Sequence, residues 1–449
     1  MLGGDSKVSW PVELKTTLRL AGPIVLGNVG QILIGVVDTL MIGRIGVAPL
    51  GAAAFVNNVY VIPLVTLMGV LAAVTILVSQ AKGASDERQV GRHIRHGLGL
   101  SVFVSVAACL LMTGNGFFLD RYGQEAEVVE AARIYYWLIT ASLLPALVYH
   151  CLKSVWEGLG WSKPPMFVLL SGIGLNIVLN WILIFGELGA PKLGLVGAGI
   201  ATLIARTAVM VAMFVLTLRA GRMKRFLPRR WMSGFEFDSF KSMLKLGLPM
   251  GAQHLFEVGA FAGAGIMIGW LSKEALAAHQ IAMSCASMSF MIPLGVSISC
   301  GIRVGGAFGA QQFRRIRTIY LSTLGFTFFQ TLLAALVFLL GGSWLAEQFV
   351  ENVEVVGIAA SIFMVAGLFQ IFDGAQVVSL GALRGMSDVN VPMLITFVAY
   401  WVVALPVGYL LGFSAGFGAV GVWIGLAVGL LAAALSLFVR LEKKLVGSR

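Results

Sequence analysis

Three carboxylates interrupt long apolar runs of this 449-residue chain: Asp38, Glu257 and Asp373. A charged side chain in mid-bilayer costs on the order of 2.5–3.5 kcal/mol on insertion scales, so each has to be matched by something positive: a proton, a metal cation, a base or a cationic ligand. Around Asp38 further oxygen donors converge in depth. Counted at about 1.5 Å per residue along a helix, Asn176, Asn180 and Thr202 fall in the same band of their own stretches. Asn176 and Asn180 are one turn apart on one face, as are Ala198 and Thr202. One carboxylate, two amide oxygens, a hydroxyl and the backbone carbonyl of Ala198 form an oxygen-only cage with a single negative charge. That set suits a small, hard, monovalent cation, Na⁺ or a proton. Two other readings stay open at this point. The amides and hydroxyl also serve as ordinary glue between helices, and Arg206, one turn beyond Thr202, could convert the cage into a salt bridge with Asp38.

Glu257 and Asp373 lie at corresponding depths of two other stretches. Like charges brought close together favour binding of a proton, a cation or a positively charged substrate. Alternatively each acid is satisfied separately, Glu257 by His254 or Ser287 and Asp373 by Gln370 or Gln376. His254 and Glu257 share a helix face at i and i+3, but one such pair falls short of a metal centre. No metal beyond Na⁺ is expected.

The elements that carry these residues follow from composition. At 58% hydrophobic and 12% charged residues, the chain has too little polar surface for a soluble protein. Runs long enough to cross the hydrocarbon core, which takes about 20 residues, fall near 14–42, 50–81, 97–119, 131–153, 165–186, 193–218, 242–270, 275–309, 318–346, 354–383, 391–413 and 417–440. The expected fold is an all-α integral membrane protein of twelve transmembrane helices. These helices form one six-crossing unit written twice. Leu18-Arg19-Leu20-Ala21-Gly22-Pro23 returns as Leu244-Lys245-Leu246-Gly247-Leu248-Pro249, and Met41-Ile42-Gly43 as Met267-Ile268-Gly269, at an offset of 226 residues. The division expected is an N-lobe at 1–218, a linker at 219–241 and a C-lobe at 242–449. Basic residues cluster in the loops after even-numbered helices, among them Arg88, Arg92, Arg95, Arg222, Arg225, Arg229, Arg230 and Arg314, which puts both termini on the cytoplasmic side. Six crossings return the chain to its starting side, so the lobes are expected to relate by a pseudo-two-fold axis along the membrane normal.

Several classes drop out. The net charge of +11 sits in loops where orientation and anionic lipids account for it, so no nucleic-acid partner is expected. No phosphate-cradling GxxxxGK[ST] occurs, nor HExxH or GxSxG, which argues against a nucleotide-driven pump and an enzyme and leaves an ion gradient as the energy source. The four cysteines lack CxxC spacing and read as packing residues.

Taken together the pattern resembles the multidrug and toxic compound extrusion family, in its NorM-like branch. The resemblance spans essentially the whole chain: PIVLGNVGQILIGVVDTLMIGRIG from Pro23, the AAHQIA segment at 277–282, GLGWSKPPM after the fourth helix, and Glu257 with Asp373. It implies alternating access and export of cationic or amphipathic drugs in exchange for Na⁺ or H⁺, without a cofactor, by a monomer in a bacterial inner membrane. By position Asp38, Asn176, Asn180 and Thr202 match that family's N-lobe cation site, and Glu257 and Asp373 its C-lobe site. Two residues depart from some relatives: Asn180 stands where they carry Asp, and Phe369 where they carry Tyr. The neutral oxygen donors favour Na⁺. A flippase of lipid-linked precursors shares the broad architecture, and a more basic cavity would be its mark.

Overall fold

The computed structural model describes residues 9–228 and 236–447. The basic residues Arg229 and Arg230, in the middle of the expected linker, lie outside them. Every regular element among the described residues is helical, as lipid requires of a chain that must satisfy its backbone polar groups internally. The helices are α1 Trp10–Gly43, α2 Val47–Gly83, α3 Glu87–Gly116, α4 Ala126–Ala141, α5 Leu143–Gly158, α6 Lys163–Phe185, α7 Gly194–Arg219, α8 Phe237–Gly269, α9 Lys273–Gly309, α10 Phe313–Glu347, α11 Val353–Gly385, α12 Asn390–Phe397, α13 Leu405–Tyr409 and α14 Gly418–Gly447.

With α4 and α5 taken as one crossing, and 390–414 as another, eleven segments among the described residues are long and apolar enough to span a bilayer. The remaining long helix is α8. It has the length, but Gln253, His254 and Glu257 on its inner turns lower its hydropathy, so the exception is the helix that carries a candidate site.

Several helices outlast their apolar runs. α3 begins at Glu87, ten residues before the run at 97–119, because Asp86 caps it by accepting from the Gln89 amide at 2.8 Å and the added turns are polar. Two crossings are irregular, each at a proline. The fourth breaks at Ser142, three residues before Pro145. In the eleventh, wide π turns at Val398–Ala404 and Leu410–Ser414 flank α13, where Pro406 removes a backbone donor and its ring crowds the preceding turn.

Packing groups the chain into two compact units, one of residues Leu26–Gly251 and one of the residues up to Val25 with those from Ala252 onward. Both changeovers fall two residues after the repeated proline, Pro23 in α1 and Pro249 in α8. In the first unit the leading half of α8 packs on α2, where a Cβ on Gly247 would lie 2.4 Å from the Val70 carbonyl oxygen. In the second, the leading half of α1 packs on α9, where a Cβ on Gly295 would lie 2.4 Å from Val25 Cγ2. Only glycine permits such approaches. The second unit adds polar ties: Glu13 receives bonds from Arg303 and, at 2.9 Å, from Arg315, while Arg303 also donates to Thr17 Oγ1 at 2.6 Å.

Candidate functional site

In the first unit α1, α6 and α7 bring most of the expected cage together. Gly30 seats the second half of α1 on α6, with Ile173 Cδ1 3.1 Å from where a Cβ would be. α6 ends at Gly186 in the left-handed conformation (φ 81°), and the chain turns back into α7 with the Leu193 amide bonded to the Leu183 carbonyl at 2.9 Å. Asn180 Nδ2 donates to Asp38 Oδ1 at 2.6 Å and to Asn176 Oδ1 at 3.1 Å. Both acceptors being oxygens, the amide nitrogen must face them. That leaves Asn180 Oδ1 buried without a partner among the described residues. An orphaned acceptor of this kind asks for a ligand.

Asp38, Asn176 and Thr202 line one cavity of about 280 Å³, together with Gln31, Tyr149 and His150. Ala198 is one turn from Thr202 but lies in the apolar core of the unit, outside that lining.

Arg206 lines the cavity as well, yet makes no ion pair with Asp38. Its Nη1 donates to Tyr60 Oη at 2.5 Å and to Ser142 Oγ at 2.6 Å, and the guanidinium lies 5.1 Å from the centre of the Tyr60 ring. Arg206 is thus held by neutral hydroxyls, and the carboxylate of Asp38 is left to its amide neighbour. Tyr60 and Ser142 were not anticipated. The one signal near Ser142 was Pro145, three residues on, which lacks a backbone donor at the break between α4 and α5.

In the second unit, Asp373 on α11 is buried and its Oδ1 has no partner among the described residues. Neither expected neighbour satisfies it. Gln370 Nε2 donates to the Ala286 carbonyl at 3.1 Å, leaving its own Oε1 orphaned, and Gln376 Oε1 accepts from Tyr400 Oη at 3.1 Å. Glu257 on α8 is half-buried and forms no bond with His254 or Ser287; it lies within electrostatic range of Asp373 and of Arg384. Arg384 is committed to Gln253 Oε1, at 3.0 and 2.7 Å from Nε and Nη2. Phe369 is buried and meets Trp423 edge-on at 5.4 Å, filling the place of a hydroxyl-bearing ring with apolar contact. No group of three or more His, Cys, Asp or Glu residues suited to a metal ion occurs among the described residues.

Acids and amide oxygens gathered inside helices that cross a bilayer eleven or twelve times define a multi-pass membrane transporter. The MatE family profile matches residues 23–182 and again 249–410, two matches that begin 226 residues apart, and the chain belongs to that family. The family comprises secondary transporters, and this chain is a transporter rather than an enzyme. Among curated relatives, "Probable multidrug resistance protein NorM" of Mesorhizobium japonicum is 34% identical over 90% of this chain and 88% of its own length. "Multidrug resistance protein NorM" of Aliivibrio fischeri is 31% identical over 89% and 87%. The fold superimposes on a multidrug resistance MATE family transporter of the MOP superfamily in an outward-facing conformation, with TM-score 0.90 and 20% identity, covering 100% of this chain and 99% of that one. The eukaryotic MATE transporter AtDTX14 gives TM-score 0.88 and 21% identity, over 98% and 99%.

Proposed function

We propose that the protein is a cation-coupled multidrug antiporter that exports lipophilic cationic compounds across a bacterial inner membrane, both termini cytoplasmic, with Na⁺ as the coupling ion. The observation that carries this reading is the Asp38–Asn180–Asn176 chain beside the 280 Å³ cavity: one carboxylate, oriented by an amide, with a buried amide oxygen still unpartnered and the nearby arginine tied elsewhere. Such a site gains more from a cation with several oxygen ligands than from a proton alone. Glu257 and Asp373 form the second acidic set, for substrate or a second cation. Cation and drug then drive each other out by competing for the same negative charge, or by shifting the equilibrium between two access states. A monomer suffices for this cycle, and membrane lipid is its only standing partner.

The test is efflux of a fluorescent lipophilic cation from proteoliposomes under an imposed Na⁺ gradient alone or a pH gradient alone. Efflux driven by Na⁺ supports the proposal. Efflux driven only by protons transfers coupling to carboxylate titration, and absence of efflux under either gradient overturns the antiporter reading in favour of a flippase.

A further inference from the structure

On the first unit the turn into α3 and the stretch that follows α7 enclose a cavity of about 840 Å³ whose walls include Arg88, Arg92, Arg95 and Arg225. Arg88, Arg92 and Arg95 occur at i, i+4 and i+7 and therefore project from one face of α3. Gly91 stands between them. A Cβ there would lie 3.0 Å from the Phe226 carbonyl oxygen, so the absence of a side chain lets the backbone at 226–228 lie against α3 and bring Arg225 over to the same hollow. Phe226 fixes that backbone from beneath: it is buried, meets Trp161 edge-on at 6.1 Å and carries the Arg225 guanidinium 4.5 Å above its ring.

Local acids only partly offset the four guanidinium groups. Asp86 spends a carboxylate oxygen on the α3 cap. Glu87 reaches Arg225 at 3.7 Å, and Glu236 reaches Arg95 at 3.3 Å and Arg92 at 4.0 Å. The Ser239 hydroxyl, with His96, Arg92 and Arg95 nearby, holds the exposed Glu236 carboxyl below its usual range, so it is charged and already engaged. These pairs are longer than the roughly 2.7–2.9 Å of a strong charge-assisted bond, and solvent at the exposed Glu236 carboxylate screens its attraction. Arg88 makes no ion pair among the described residues. The basic residues that open α10 differ: Arg315 is tied to Glu13 at 2.9 Å and Arg317 to Glu442 at 3.1 Å.

We infer that this cavity is a binding site for a phosphate group, with the α3 arginines and Arg225 as its ligands. A phosphate offers several charged oxygens to guanidinium forks on two sides at once, which the single-point carboxylates now present do not. The phosphodiester of an anionic lipid headgroup and free inorganic phosphate share this chemistry. The inference does not depend on the coupling ion or on the substrate exported.

The experiment is thermal unfolding of the purified full chain in detergent at fixed ionic strength, with phosphatidylglycerol, phosphatidylcholine or inorganic phosphate added separately. Phosphatidylglycerol is expected to raise Tm by about 3 °C over phosphatidylcholine. The Arg88→Gln/Arg92→Gln double variant should lose that rise, and Arg314→Gln, which removes a charge from the first turn of α10, should keep it. If inorganic phosphate gives the same rise, the site stands and its ligand is soluble; if only the lipid acts, the ligand is a headgroup. No rise with either, a rise that survives the double variant, or one equally lost in Arg314→Gln would overturn the site. Native mass spectrometry of the wild-type chain gives a check that needs no variant, since retained phosphatidylglycerol should outnumber phosphatidylcholine when both are supplied equally.

Discussion

The two acidic sets of this transporter come from a repeated unit, yet they are finished in opposite ways. In the first unit Asp38 already holds a 2.6 Å bond from Asn180, which is itself anchored to Asn176, and the nearest guanidinium is occupied by Tyr60 and Ser142. In the second, Asp373 is buried with an orphaned oxygen, while the amides of Gln370 and Gln376 on either side serve other groups. An acid with a built-in donor is preorganised and selects its ligand by geometry. An acid without one takes whatever positive group reaches it. On the proposed reading, ion selection falls to Asp38 and a less selective role to the Glu257/Asp373 pair.

The largest effect is expected at the charges themselves. Asp38→Asn should reduce ion-driven efflux by more than about a hundredfold, because the cage loses its only negative charge. Asp373→Asn should instead raise the KM for the exported cation while leaving the ion dependence in place. Both are read in proteoliposomes, and loss of ion dependence in both variants alike would erase the distinction. Next comes the amide. Asn180→Ala removes a hydrogen bond to a charged group, a loss of about 1.5–3 kcal/mol, and should raise the Na⁺ concentration for half-maximal efflux roughly ten- to a hundredfold. Asn180→Asp should lower it. A smaller change follows from Arg206→Gln: with a positive charge gone from the cavity, half-maximal Na⁺ should fall several-fold, whereas a rise would mean that the arginine positions the site. The smallest belongs to Gln370→Ala. Its amide bonds a backbone carbonyl rather than Asp373, so titration of efflux against the ion should shift less than about threefold.

How much of this was legible depends on what lipid enforces. The crossings were readable because a bilayer demands continuous apolar length, and the same demand made His254 and Glu257 conspicuous in α8. The ends of α3 and α10 were not, since those helices continue through polar turns where hydropathy is silent. Asp38, Asn176 and Asn180 could be placed together by depth alone because their side chains are short and their helices regular. The partners of Arg206 could not. Tyr60 lies 146 residues away and Ser142 lies 64 residues away, on a helix whose break no hydropathy pattern marks. The π turns around α13 had a visible cause in Pro406, but a proline announces a disturbance without specifying its form.

The changeovers at Pro23 and Pro249 also set an order in time. The leading half of α8 packs on α2, through Gly247 against Val70, and on α3, through Phe240 against Phe103, and both helices are already synthesised when it emerges. The leading half of α1 instead depends on a later segment: Glu13 meets Arg303, 290 residues further along the chain. At about 5–20 residues per second this is a delay of roughly 15–60 s. The leading half of α1 therefore completes these contacts only after 290 further residues have followed Glu13, and a chain stopped at the end of the first repeat would hold that acid with neither of its arginines yet made.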